Sequence, residues 1–556
     1  MIDRLLRRLP GDAGPTAKSY APLFIVASVF ALMLAVFAPV TRAKQQFLTA
    51  RAPTVGTANQ AAAGPGGTAD AGAAGTGPGA TQPGAAGSGG GGEQAAAGGV
   101  QPCQDRAQQV PGDPYSPPCL TFSGDNGGAT FKGVTGTDII VALRELEGPT
   151  AGEIFAQLSG EPVISSKEAV ENTILALADY FNSHFQFYGR KIKIEFFKGQ
   201  GNGSSELLGG GKEQALSDAV HVSQEMGAFA DLSGITLPYS DALVQQGILN
   251  FGAPYPSREW FVQRAPYAWS NFPDGTNVTE SAASEILVRE PAGSVAQFGG
   301  PDVNGKPRVY GIVAPENQEY QESVSHYTSL LAAGGITPKI NLKYKLDISS
   351  MPNQASNIIA QLKDAGVTTV LCGCDPVMLA LGLTPKANEQ NYTPEWETAG
   401  LAFVDQDIVS QLIDQTQWAH AYGIAYNAES EPEGRSFPYA AYKQMRPNDE
   451  PAFGVEELYY QMYMLAIGLQ MAGPNLTPDT FAQGMFAYPA QSGPRGLWHF
   501  APDDYTTTDD FREIWWDPNA ISGQNNKPGA WQQLAGGQRY TRDNSDRPPA
   551  TWFQPQ

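Results

Sequence analysis

Between residues 138 and 251 the apolar positions change period several times. Ile139, Ile140, Val141, Ala142 and Leu143 form an unbroken run that predicts a buried strand over 138–143, followed by a loop at 144–149. Ser165 and Ser166 ahead of Lys167 and Glu168 read as a helix start. Ala169, Ile174, Leu177, Ala178 and Phe181 then share one helical face as far as Ser183. Tyr188-Gly189-Arg190 is a turn, and 191–196 alternates as a half-buried strand does. A helix over 214–228, a strand over 229–232, a helix over 238–246 and a strand over 247–251 follow. Strands that alternate with helices imply a parallel sheet covered on both faces.

The pattern starts again near Pro307. Strands are expected at 308–313, 339–344, 368–372, 397–401 and 422–426, with helices at 320–333, 354–365, 376–388 and 405–414. The fold class is therefore α/β: two doubly wound, Rossmann-like lobes with a hinge and an interlobe cleft. A long helix over 454–471 and a Trp-rich C-terminal region come after both.

The N-terminal region follows neither pattern. Arg4, Arg7, Arg8 and Lys18 precede an uncharged apolar run from Ala21 to Val40, and Arg42 and Lys44 follow it. Such a run is close to the ~20 residues that span a bilayer. Basic residues ahead of it favour a cytoplasmic N-terminus and an exported remainder. Residues 1–19 read as a cytoplasmic tail and 20–41 as a transmembrane anchor. A cleaved signal peptide is the alternative, with Thr41-Arg42-Ala43 a poor cleavage site. Residues 42–101, rich in Gly and Ala, read as a flexible linker with a reach of roughly 35–45 Å.

Charge narrows the function. Lys and Arg number 35 against 56 Asp and Glu, a net charge of -21. A surface that acidic repels phosphate backbones, so no nucleic-acid partner is expected. The four cysteines are an even count, consistent with disulfides in an exported chain. Cys103 and Cys119 bracket a Pro-rich loop and are expected to pair, stapling a segment at 102–132. Cys372-Gly373-Cys374 leaves open both a strained bridge and two buried thiols, because alternate residues of a strand stand about 6.5–7 Å apart at Cα.

Catalytic chemistry is not legible. Gly199 to Ser205 has the wrong spacing for a dinucleotide fingerprint and reads as a surface turn. Gly209-Gly210-Gly211-Lys212 lacks the flanking residues of a phosphate loop, and no nucleophile elbow occurs. The histidines, His184, His221, His326, His420 and His499, show no metal-ligand spacing. Asp503, Asp504, Asp509 and Asp510 suggest Ca²⁺ but read more simply as a solvated acidic loop. Trp515 and Trp516 read as lobe packing. No enzyme, metal or cofactor is expected.

Three stretches carry a family resemblance. The first is the helix through Ala176, Asp179, Phe181 and Asn182 with Gly189-Arg190 leading into the second strand. The second is Ser233-Gly234; the third is Asp375-Pro376-Val377-Met378 with Gly400-Leu401-Ala402-Phe403. Together they resemble a type I periplasmic binding protein, of the branched-chain-amino-acid-binding kind that serves ABC importers. The usual Ser-Gly after the first strand is replaced here by Glu147-Gly148-Pro149. The resemblance implies that the chain crosses between lobes more than once. It gives a first lobe of 133–280 and 428–490, a second of 281–427 and 491–530, and a tail of 531–556.

Ligands of doubly wound sheets sit at the C-terminal ends of strands. First-lobe candidates are Glu147, Gly148, Ser233, Gly234, Ile235, Thr236, Ala253, Pro254 and Tyr255. Second-lobe candidates are Glu316, Tyr320, Asp375, Phe403 and Asp405. For an amino acid, Ser233 and Thr236 would hold the carboxylate and Glu316 or Asp405 the ammonium. Helix capping is the alternative role for each polar residue. The expected partners are a small solute, an ABC permease and the membrane. A membrane-anchored sensor or an exported enzyme are the alternatives.

Overall fold

Two sheets with the same strand order organise the protein. The computed structural model describes residues 99–148, 151–432, 434–544 and 547, all within one compact unit, Gly91–Gln556. The expected tail at 1–19, the apolar segment at 20–41 and the linker up to residue 98 lie outside the described residues, as does Pro149. No helix among the described residues is long and apolar enough to cross a membrane.

The first sheet has five parallel strands. From one edge they are Lys191–Asn202, Asp138–Glu147, Ala230–Asp231, Leu249–Phe251 and Ala268–Trp269. Counted along the chain this order is 2-1-3-4-5, so the winding reverses between the first and third strands. The second sheet repeats it with Ile340–Tyr344, Tyr310–Pro315, Thr369–Cys372, Glu395–Thr398 and Ala421–Ala425. Three further strands, Asp510–Ile521, Pro528–Gln533 and Arg539–Thr541, extend it in antiparallel fashion. The second sheet is therefore mixed, not purely parallel, and its strands continue past residue 530. The Trp-rich stretch is one of them: Trp516 is fully buried and meets Trp531 edge-on at 5.3 Å.

The helix Lys167–His184 starts where Ser166 accepts a hydrogen bond from the Ala169 N–H. Its buried face, which includes Ile174, Leu177 and Phe181, packs into the first core. The long helix Val455–Met471 enters that core from the far end of the sequence, with Tyr459, Tyr463 and Leu465 buried in it. Trp269 and Tyr505 belong to the same core, whereas Val278 and Phe511 belong to a core on the second sheet. The chain thus passes between lobes at 270–277, returns between Tyr426 and Phe437, and passes again at 506–510. Ser270 and Thr506 pair side by side at the crossing.

Three local expectations need correction. Residues 144–147 are not loop, because the strand Asp138–Glu147 runs on beside its neighbour. Gly199 to Ser205 is not a surface turn but strand to Asn202 and then the helix Gly203–Leu207. A Cβ on Gly201 would stand 2.2 Å from a Glu206 oxygen and 2.9 Å from Arg144 Nη1, so a side chain is excluded and the glycine lets these groups in. The linker does not reach residue 101, because Val100–Pro102 pairs with Leu120–Phe122.

Both cysteine pairs are bridged, with Cα separations of 5.4 Å for Cys103–Cys119 and 5.0 Å for Cys372–Cys374. Cys372 ends its strand, so the full extended spacing does not hold across Gly373. The segment between Cys103 and Cys119 is also better packed than its proline content suggests. Tyr115 stacks on Trp498 at 4.4 Å, and the Asp113 carboxylate accepts a bond from Tyr463 Oη at 2.7 Å.

Candidate ligand-binding cleft

The switch point of the first sheet is filled by charge. Arg144, late in the first strand, donates to both Glu206 oxygens, at 3.1 and 2.7 Å, and to Asp218 at 3.2 Å. All three side chains are buried, and the guanidinium lies over the Tyr239 ring at 3.5 Å. Thr236 donates its hydroxyl to Glu206. Ser233 donates to Asp231 at 2.6 Å and accepts from the Arg144 N–H at 2.7 Å. Burial pushes Asp231 above its ordinary value, opposed by the bonds from Ser233 and Tyr239. Ser233 and Thr236 are thus engaged by buried acids of their own lobe.

A cavity of about 40 Å³ lies over this cluster, between the lobes. Glu206, Lys212, Ile235, Thr236 and Asp241 line it from the first lobe, and Asn317, Glu319 and Tyr320 from the second. Its volume holds no more than a water or two, so the two walls are nearly in contact. Asn317 Nδ2 donates across the cleft to the Leu207 carbonyl at 3.0 Å. Tyr320 packs against the core of the opposite lobe. Ile235 and Leu207 add apolar surface at the rim, with exposures of 51% and 45%.

A second contact closes the cleft nearer the crossing strands. Tyr255, with φ of 62°, accepts a hydrogen bond from the Ala402 N–H at 3.0 Å. Phe272 stands between Tyr255 and Phe403, at 5.5 and 5.8 Å. Gly400, Ala402 and Phe403 all have positive φ, so this loop turns back sharply towards Tyr255. Burial raises the pKa of both Tyr255 and Tyr320, so both stay protonated.

The structure sorts the remaining candidates. Ile235, Thr236 and Tyr320 are brought together at the cavity, and Tyr255 and Phe403, on either side of Phe272, at the second contact. Gly234 packs its backbone on Asn250, and Ala253 and Pro254 lead to Tyr255. Glu147 and Gly148 are exposed; Glu147 pairs with Lys198 at 3.0 Å, which lowers its pKa. Glu316 is exposed beside Lys345 at 3.9 Å. Asp375 caps the next helix through the Val377 and Met378 N–H groups and accepts from Tyr344 Oη at 2.8 Å. Asp405 accepts from the Tyr426 and Asn427 N–H groups and from Asn427 Nδ2. Sequence reasoning missed Arg144, Glu206, Lys212, Asp241 and Asn317. Lys212 and Asp241 lie on helices rather than at strand ends, where no spacing points to them.

Two lobes of matching topology, with their switch points facing across one cleft, define a two-lobed binding protein. The chain belongs to the periplasmic binding protein family, whose pattern matches residues 154–517. Solved structures share the fold. One is a solute-binding protein of an ABC transporter from R. palustris in complex with 4-hydroxybenzoate. It is 11% identical, with TM-score 0.51, over 73% of this chain and 97% of that one. Another is a leucine-, isoleucine-, valine-, threonine- and alanine-binding protein from Brucella ovis in its closed conformation. It is 14% identical, with TM-score 0.52, over 74% and 97%. A third is a fatty acid ABC transporter substrate-binding protein from Thermomonospora curvata. It is 13% identical, with TM-score 0.50, over 76% and 97%. No curated protein sequence matches the chain.

Proposed function

We propose that this protein captures a small solute in the interlobe cleft, outside the cytoplasmic membrane, and presents it to the permease of an ABC importer. The observation that carries the reading is the cavity lined from both lobes at the first sheet's switch point. A solute that touches both walls binds the closed form better and shifts the population towards it. The apolar run at 20–41 would hold the domain at the membrane surface through the linker. The lining mixes Lys212 with Glu319 and Asp241, beside apolar Ile235 and Leu207. That mixture suits an amino acid or a related polar solute: Lys212 for a carboxylate, the acids for an ammonium.

Thermal unfolding in the presence of amino acids, amides, hydroxybenzoates and small sugars tests this. A true solute at a hundredfold excess over its Kd stabilises by about 2.7 kcal/mol, and the melting point rises with its concentration. Absence of any concentration-dependent shift across all four classes overturns the reading.

A further inference from the structure

The segment that leads across between the lobes, ahead of the strand Asp510–Ile521, carries a ligand set of its own. His499, Asp504 and Asp509 place one donor atom each within 4.8 Å of one another, the single such group among the described residues. The acidic run at 503–510 is therefore not a plain solvated loop. Asp503 is exposed, but Asp504 and Asp509 are half-buried and hydrogen-bonded to each other. Two carboxylates in that contact share a proton or a cation. The third member is not an acid: the His499 imidazole is exposed and has no hydrogen-bond partner among the described residues. Asp274 adds negative charge nearby, while Arg258 and Arg542 partly offset it.

We propose that His499, Asp504 and Asp509 form a divalent transition-metal site, best suited to Zn²⁺, which clamps the segment crossing between the lobes. One imidazole and two carboxylates match zinc in ligand type, at bond lengths near ~2.0–2.2 Å, and leave a fourth position for water. Ca²⁺ and Mg²⁺ prefer all-oxygen ligation, so the imidazole selects against them. The place explains what the ion would do. Ser270 N–H donates to the Tyr505 carbonyl at 3.1 Å, and Asp274 N–H to Thr506 Oγ1 at 3.3 Å. Asn277 Nδ2 donates to the Thr508 carbonyl at 3.0 Å. Residues 504–509 are thus laced to the other crossing segment, and a cation joining both ends of this stretch stiffens the hinge.

Titration of the metal-stripped full-length chain with ZnCl₂ by calorimetry tests the site, with CoCl₂ absorption as a reading of coordination. Asp509→Asn keeps a hydrogen bond to Asp504 and so should fold normally; His499→Ala changes an exposed residue. One equivalent of Zn²⁺ is expected, weakened at least about tenfold in either variant, with loss of the Co²⁺ visible bands. CaCl₂ should give no comparable heat. Zinc binding that is absent, or equal in the wild type and both variants, overturns the proposal, as does Ca²⁺ binding of equal strength that survives His499→Ala.

Discussion

Arg144 and Glu206 face each other through two parallel hydrogen bonds, at 3.1 and 2.7 Å, with side chains 1% and 0% exposed. They join a strand to the short helix that floors the cleft. Asp218 takes a third bond from the same guanidinium, so the charges form a buried triad. Removing one member of such a set leaves the others uncompensated. Arg144→Ala is expected to cost about 3–5 kcal/mol of folding stability. Urea unfolding measures it; a loss under about 1 kcal/mol would mean that the triad contributes little.

The second lobe buries a cluster of acids, Glu285, Glu290 and Glu397, of which Glu290 pairs with Arg308 at 2.9 Å. Glu285 is fully buried with neither oxygen hydrogen-bonded among the described residues, and Glu397 Oε1 is in the same state. Burial, then repulsion by Glu397, Glu290 and Glu513, holds the Glu285 carboxyl far above 4.5. Burial likewise pushes Glu290 up to about 7, against the opposing pull of Arg308. These groups keep their protons in the folded state and lose them in the unfolded one. Their contribution is complete below pH 4.5 and is lost as pH rises through 7 and beyond. Each carboxyl held protonated contributes a slope of about 1.4 kcal/mol per pH unit. Glu285→Gln mimics the neutral acid and should flatten the fall between pH 5 and 8. An unchanged slope in Glu285→Gln would remove Glu285 from the account.

Much of this architecture was legible in the sequence because period reports burial. The 138–143 run and the face through Ile174, Leu177 and Phe181 became the strand and helix they predicted. What stayed hidden depends on contacts distant in the chain. Gly199 and Gly201 look like turn residues until Arg144 and Glu206 occupy the space above them. Ser233 and Thr236 have the right chemistry for a carboxylate, but their hydroxyl protons go to Asp231 and Glu206. Lys212 and Asn317 line the cleft from opposite lobes, a juxtaposition that no local pattern in the sequence reports. His499 stands near both aspartates, with Thr508 between them at φ of 68°, a grouping that no histidine spacing signals.

Cys103 and Cys119 close a loop with a sequence separation of 16. The loop is also held by its own packing, through Tyr115 on Trp498 and Asp113 with Tyr463. The double change Cys103→Ala with Cys119→Ala should therefore keep the native contacts and act chiefly on the unfolded chain. For a loop of this length the expected loss is about 3 kcal/mol. Guanidinium unfolding of the two forms measures it, and near-ultraviolet circular dichroism checks that the aromatic packing survives. An undiminished midpoint would show that the unfolded chain is already confined there.

The last prediction concerns closure. Tyr255 offers its hydroxyl oxygen to the Ala402 N–H at 3.0 Å, a bond that exists only while the lobes are together. Its ring also meets Phe272, which in turn meets Phe403 at 5.8 Å. Tyr255→Phe keeps the ring contacts and deletes the acceptor alone. The closed form then loses a bond worth about 1 kcal/mol, roughly a fivefold shift towards the open form. Core packing within each lobe is untouched, so the melting point should move little. Small-angle scattering of the solute-free protein should show a larger radius of gyration in the variant, and a saturating solute should restore the wild-type value, since ligand binding favours the closed state. If the scattering of Tyr255→Phe matches the wild type throughout, the Tyr255–Ala402 contact does not govern closure, and the Asn317–Leu207 contact at the other end of the cleft becomes the one to break.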